Sequence, residues 1–309
     1  FAGDPTIRRE LDPIGLAETF TFWTASAPQT VFAGVTELEP GHVRTIAEGR
    51  VDDRAFWEPR YPLDERAMFL GGPEEAAQQV REQLEESVRL RMLRADVPVG
   101  CYLSGGLDSS LVAALGRRVK GEQFCTYSIR FEDAEYDETP FQRTMAGFIE
   151  SDHREVTVRR RDIADVFPDV VDHAERPLLR TAPARLWLLS RRVRERGVKG
   201  VLTGEGADEM FAGYDIFREA KVRRFWGRQP ASTMRPRLLD RLYPYLARSP
   251  VTQRTMAREF FGRGRERWAE PGFSHQTRWQ PTAALQRLFT PDMRREASRV
   301  DVAGRLLAS

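Results

Sequence analysis

Apolar residues in the first sixty positions keep no sustained period. Positions 43–46, then Glu48-Gly49, then Arg50-Val51 read as a short hairpin, punctuated by Pro40-Gly41 before it and by Pro59 and Pro62 after it. The pattern changes at Gly71-Gly72-Pro73. From there Ala76, Val80, Leu84 and Val88 recur every four residues with Glu and Arg between them, which predicts a helix whose first position suits Pro73. Short apolar runs then alternate with helical periods. Strands are expected over 99–103, 124–131, 155–158 and 198–202, and helices over 111–115, 140–149, 162–174, 184–195 and from Ala207 onward. Such alternation predicts an α/β fold, a parallel sheet with helices on both faces. Beyond Phe225 the apolar positions favour helices, broken at Pro230, Pro236, Pro244, Pro250, Pro271 and Pro281. The expected organisation is the end of a β-rich domain with a linker over 1–60, then a body over 72–309 that is helical after about 226.

Composition narrows the class of function more than the fold. The 309 residues are 41% hydrophobic and 30% charged, ordinary values for a globular chain. No run approaches the ~20 apolar residues a membrane helix needs, and the first residues lack the apolar segment of a signal peptide. Cys101 and Cys125 are too few for a disulfide scaffold. A cytoplasmic enzyme or binding protein is the expectation. The formal net charge is only +2, yet residues 228–309 hold 16 Arg, no Lys and 7 acids. That basic third could meet phosphate or nucleic acid. A solvated helical surface with long Arg stems covering apolar area is the favoured account, since no aromatic-interleaved RNA motif accompanies it, so a nucleic-acid partner is not expected. His42, His153, His173 and His275 show no metal-ligand spacing.

The strongest chemical signal is Ser104-Gly105-Gly106-Leu107-Asp108-Ser109-Ser110, between an expected strand and an expected helix. Ligands of open α/β sheets bind at the carboxyl ends of strands. Paired glycines let a backbone approach a ligand closely, and the unpaired N–H groups of a helix start suit phosphate oxygens. Ser104, Ser109 and Ser110 add hydroxyl donors. Asp108 beside a phosphate needs a cation between them, which points to Mg²⁺. The lysine of a Walker A loop is missing. A second loop, Thr203-Gly204-Glu205-Gly206-Ala207-Asp208-Glu209, follows the last expected strand and offers further carboxylates. Asp108 and Asp208, from separate strand ends at the same edge of the sheet, could share one Mg²⁺ with the phosphates of ATP.

These loops, with Phe131-Glu132-Asp133-Ala134-Glu135-Tyr136-Asp137-Glu138 between them, resemble the synthetase domain of the glutamine-hydrolysing, bacterial-type asparagine synthetases. The first loop resembles the signature of the wider ATP pyrophosphatase (PP-loop) family, with its adenine-nucleotide α-hydrolase-like fold. The second, running into Phe211-Ala212-Gly213-Tyr214, narrows the likeness. Arg9-Glu10-Leu11-Asp12 and Thr30-Val31-Phe32 to Pro40-Gly41-His42 look like the end of the family's glutaminase domain.

The resemblance implies that Leu103, Ser104, Gly105, Gly106, Asp108, Ser109 and Ser110 hold ATP, that Ile129 contacts adenine, and that Gly204 contacts ATP through its backbone. It implies Asp108 and Asp208 as Mg²⁺ ligands and Glu205 as the carboxylate facing aspartate and incoming ammonia. The implied reaction converts aspartate to asparagine through a β-aspartyl-adenylate, releasing AMP and pyrophosphate, with nitrogen from glutamine or ammonia. A homodimer is the expectation only because symmetric dimers are the commonest oligomers. The family's N-terminal catalytic cysteine and its later lysine have no counterpart here, and Arg180 lies one residue from the place of a family arginine. The chain is therefore expected to be part of a longer enzyme. A ligase that amidates or cyclises another carboxylate, and a tRNA-modifying ATP pyrophosphatase, are the competing readings.

Overall fold

The computed structural model describes residues 4–61, 68–121, 124–132, 137–243 and 251–308. The stretch 133–136 of the acidic segment lies outside them. The chain forms two compact units, residues 61–211 and residues 1–60 together with 212–309.

The unit that holds the N-terminus opens with a helix the sequence pattern did not announce, α1 (Pro13–Phe22). Asp12 caps it by accepting from the N–H groups of Ile14 and Gly15, both at 2.8 Å. Gly15 is required there, because a Cβ would stand 1.8 Å from the Thr30 carbonyl oxygen. The hairpin expected after Pro40-Gly41 is present and longer, with β1 (His42–Ala47) antiparallel to β2 (Arg50–Ala55). Glu48 and Gly49 form its turn at φ 49° and 73°, as a tight two-residue hairpin demands.

In the unit 61–211, α2 (Pro73–Leu93) leads into β3 (Val99–Tyr102), α3 (Leu107–Lys120), β4 (Cys125–Phe131), α4 (Thr139–Phe148) and β5 (Asp152–Val158). Then come α5 (Arg160–Ala174), α6 (Ala182–Glu195), β6 (Gly200–Leu202) and the short α7 (Ala207–Phe211). The four strands form one parallel sheet in the order β5-β4-β3-β6. The alternation of side chains along a strand feeds two cores. Val99, Cys101 and Leu103 join Val88, Met92, Ala113 and Phe124 on the side of α2 and α3. Tyr102, Cys125, Tyr127 and Ile129 face Leu189 and Val193 of α6 on the other. A parallel sheet flanked by helices is thus what this unit is.

After Ala212 the chain is helical, as expected. It runs from α8 (Asp215–Gly227) through helices at Leu238–Leu242, Val251–Gly262, Phe273–Ala283, Pro291–Ala297 and Val302–Ala308. Leu16, Ala17 and Val31 pack with Phe289 and Ala297. The last helices therefore group with residues 1–60, whereas the sequence pattern divides the chain only once, near Gly72. Wholly buried Arg223 donates to the carbonyls of Phe261, Phe273 and Arg263 at 2.9, 3.0 and 3.3 Å. Equally buried Glu219 pairs with Arg278 at 2.7 Å and accepts from the Tyr243 hydroxyl at 2.9 Å. The guanidinium groups of Arg228, Arg235 and Arg265 lie over the rings of Trp268, Phe225 and Trp226. Arg223, Arg228, Arg235 and Arg265 thus set their charge against aromatic faces or main-chain oxygens.

Candidate active site

Strand order creates the site. Neighbours in sequence, β4 and β5, extend the sheet from one side of β3, while β6 pairs with the other side. The order reverses at β3, and the loops leaving β3 and β6 open at this switch point, where α/β sheets bind ligands. Their strands end in register, with Cys101 opposite Leu202.

The first loop is fixed by its own serines. Ser104 N–H donates to Ser109 Oγ at 3.1 Å, the two hydroxyls meet at 2.8 Å, and Ser109 Oγ donates to the Gly106 carbonyl at 3.2 Å. Gly105 sits at φ +87°, a conformation that favours glycine. Gly106 caps α3, which begins at Leu107, four residues before the start at 111 expected from the sequence. Leu103 and Ser109 are buried, Gly105, Asp108 and Ser110 half-buried, and Ser104 and Gly106 exposed. The loop's main chain therefore faces outward while its anchors face in.

The second loop comes directly against the first. A Cβ on Gly204 would lie 2.8 Å from Ser109 N, 2.9 Å from Asp108 Cβ and 3.0 Å from Asp108 C. Only a glycine lets the two backbones approach so closely. Gly206 is at φ +93°, Glu205 is exposed and Asp208 half-buried. The structure thus brings Asp108 and Gly204 together and sets Asp208 and Glu205 on the same carboxyl edge. Ile129 lies near the carboxyl end of β4, half-buried on the α6 side of the sheet.

Sequence reasoning missed two residues that brace the first loop. Ser128 Oγ donates to the Leu103 carbonyl. Gln142 Nε2 donates to the Ser104 and Ile129 carbonyls at 3.3 and 3.1 Å. One signal was available, since Gln142 interrupts the buried stripe of α4 formed with Thr139, Ala146 and Ile149. In the acidic segment, Glu132 pairs with Arg159 at 2.8 Å and Asp137 caps Thr139. Arg180 lines a surface hollow with Phe167, Leu178, Leu179 and Arg185, and Arg185 lies over the Phe131 ring. Cys101 is fully buried and burial pushes its thiol up to about 12, which fits a packing residue. Cys125, also in a strand, is half-buried, with its Sγ 3.9 Å from an Asp152 carboxylate oxygen. Among the described residues no three His, Cys, Asp or Glu side chains converge into a metal cage.

The family model described as asparagine synthase matches residues 79–304. The chain belongs to the asparagine synthase family. It is 36% identical over 205 residues to amidase chyE of Penicillium rubens, covering 62% of this chain and 30% of that protein. It is 29% identical over 212 residues to a glutamine-hydrolysing asparagine synthetase of Bacillus subtilis, covering 68% of this chain and 32% of that one. The chain spans about a third of the length of these curated relatives. Among solved structures, an NH3-dependent NAD synthetase from Campylobacter jejuni aligns over 75% of this chain and 96% of its own, at 16% identity and a TM-score of 0.35. No helix among the described residues is long and apolar enough to cross a membrane.

Proposed function

We propose that this chain is the synthetase part of an enzyme that amidates a carboxylate at the expense of ATP, cleaving ATP to AMP and pyrophosphate. Family membership supports ATP-dependent amidation in general. The observation that carries the site assignment is the contact of Gly204 with Asp108 and Ser109 at the switch point of the sheet. In this reading Ser104, Gly105, Gly106, Ser109 and Ser110 surround the pyrophosphate end of ATP, with Leu103 beneath them. Ile129 borders adenine and Gly204 approaches the nucleotide through its main chain. A substrate carboxylate oxygen attacks the α-phosphorus and pyrophosphate leaves. Ammonia then adds to the acyl carbon of the adenylate, AMP departs, and Glu205 takes up the proton the nitrogen loses. Backbone N–H groups stabilise the charge that develops on pyrophosphate.

Asp108 and Asp208 offer the hard oxygen donors Mg²⁺ takes. One or two carboxylates completed by substrate phosphates suffice for that ion, so the donor set fits. Bound there, Mg²⁺ would neutralise charge on the leaving pyrophosphate.

Aspartate is the proposed acceptor, with nitrogen from glutamine or ammonia. A glutaminase-type domain ending near residue 60, a cytoplasmic location and a homodimer belong to the same proposal. The higher identity to a protein named an amidase than to an asparagine synthetase favours a second reading, in which another carboxylate is amidated. The test is AMP and pyrophosphate release from Mg-ATP by the natural-length protein, with ammonium, with and without aspartate, beside Asp108→Ala. Aspartate-dependent release that is lost in the variant is expected. Binding of Mg-ATP without aspartate dependence would overturn aspartate and leave the second reading; no nucleotide binding would overturn both.

A further inference from the structure

Gln142 stands outside both loops, yet its side chain is 3% exposed and its amide group is committed to one of them. Both hydrogens of Nε2 are used, one on the Ser104 carbonyl and one on the Ile129 carbonyl. Its Oε1 is buried without a hydrogen-bond partner among the described residues. An orphaned buried acceptor is costly. Exchanging the amide's oxygen and nitrogen would be worse, because it would set Oε1 against two carbonyl oxygens. The donor geometry is therefore fixed, and the side chain is held there for what Nε2 does.

In a trans peptide the carbonyl and the following N–H point in opposite directions. The Ser104 carbonyl is drawn towards Gln142, so the Gly105 N–H is turned the other way. The preceding peptide is set by the same logic. Ser128 takes the Leu103 carbonyl, and the Ser104 N–H turns to Ser109 Oγ. The φ of +87° at Gly105 lets the chain leave that fixed plane and enter α3. The fit is close, since a Cβ on Gly105 would lie 3.0 Å from Phe141 Cβ and 3.1 Å from Gln142 N. The second bond, to Ile129, ties the loop to the end of β4.

We infer that Gln142 is a positioning residue for phosphate recognition: by holding the Ser104 and Ile129 carbonyls together it aims the Gly105 amide at the nucleotide. The inference rests on the reading of this loop as a nucleotide site. It assigns Gln142 no contact with substrate. A methionine at 142 would fill the same space and leave both carbonyls without a donor. A glutamate would donate one hydrogen bond when protonated and none when charged.

The test measures equilibrium binding of Mg-ATP, and KM for Mg-ATP and for the carboxylate substrate, on the natural-length protein and its Q142M and Q142E variants. Active-site titration corrects for any unfolded fraction. Q142M is expected to bind Mg-ATP about tenfold or more weakly, with KM for the carboxylate moved less than threefold. Q142E is expected to recover Mg-ATP affinity, relative to wild type at the same pH, as pH falls from 8 to 6. That recovery stands as the test if Q142M does not fold. A Q142M that is less stable but binds Mg-ATP within twofold of wild type, or a Q142E with no pH-dependent recovery, would overturn the inference alone. A wild type that binds no Mg-ATP would overturn the nucleotide reading and this inference together.

Discussion

Replacing Gly204 by alanine tests the join between the two loops. The added Cβ would meet Ser109 N at 2.8 Å, Asp108 Cβ at 2.9 Å and Asp108 C at 3.0 Å, whereas ordinary contact begins near 3.4 Å. The loops must separate by about 0.4 to 0.6 Å. Nothing flexible can absorb this. Two of the three atoms are main chain in the first turn of α3, held by Ser110 N–H on the Gly106 carbonyl at 3.1 Å and by the bonds of the Ser109 hydroxyl. Overpacking of this kind costs about 1–3 kcal/mol, and displacing a site by up to ~1 Å can cost ~100-fold in rate. The expected phenotype is a loss of several degrees in Tm with a fall of ten- to a hundredfold in Mg-ATP-dependent pyrophosphate release. Gly206→Ala is the matched control. Gly206 sits at φ +93° with nothing within 4 Å of a Cβ, so alanine there adds about 1–2 kcal/mol of backbone strain without touching Asp108. It should lose stability and keep most of its activity. A Gly204→Ala protein that binds and turns over like wild type would refute the reasoning, as would equal losses in the two variants.

Three further expectations concern the rest of the chain. Arg223→Met leaves three main-chain oxygens without their donor and removes the charge 3.6 Å from buried Glu219. It should cost about 3–5 kcal/mol in chemical denaturation, and a loss under 1 kcal/mol would show that the oxygens find other donors. Native protein treated with a thiol reagent should label at Cys125 and not at Cys101, whose thiol is buried and raised to about 12; peptide mapping showing prompt Cys101 modification would refute that. Burial lowers His153 and His275 below their usual 6.5. The unfolded chain therefore takes up protons first as pH falls, and stability should be full above about 6.5 and decline below it. Urea midpoints from pH 7.5 to 5 should show the decline and His153→Gln should reduce it; a wild-type midpoint unchanged across that range would exclude the effect.

The first loop was legible in the sequence because its geometry needs particular residues in a short contiguous run. Gly105 must take a positive φ, Ser109 must reach back to Ser104, and Gly106 must open a helix. The four strands were legible too, β3 and β6 as short apolar runs, β4 by its alternation and β5 by its β-branched Val156-Thr157-Val158 end. Their edges moved by up to three residues, β5 starting at Asp152 and β6 at Gly200. α1 was not legible. Residues 15–19 and Thr21 are all buried, so no polar face betrays a period of 3.6. Its partners Phe289 and Ala297 lie more than 260 residues away, and no local pattern reports them. The same distance explains why the pattern divides the chain once while its contacts divide it so that both termini share a unit.

The hundred residues between Asp108 and Asp208 mark what a sequence leaves implicit. Each loop can be read alone as a glycine turn with caps or acids. What makes them a pair is strand order, and order is not written in any strand. β6 could have joined the sheet beside β5, continuing the series, and the second loop would then open three strands away from the first. It joins beside β3 instead, with Val99 opposite Gly200 and Cys101 opposite Leu202. Gly204, two residues past β6, is met tightly by Asp108 and Ser109 of the first loop, while Gly200, the first residue of β6, meets Val99 only at ordinary contact distance. A glycine whose missing side chain is filled by another loop's backbone thus records a long-range pairing. Gly204 carries more information about the architecture of the site than the carboxylates beside it.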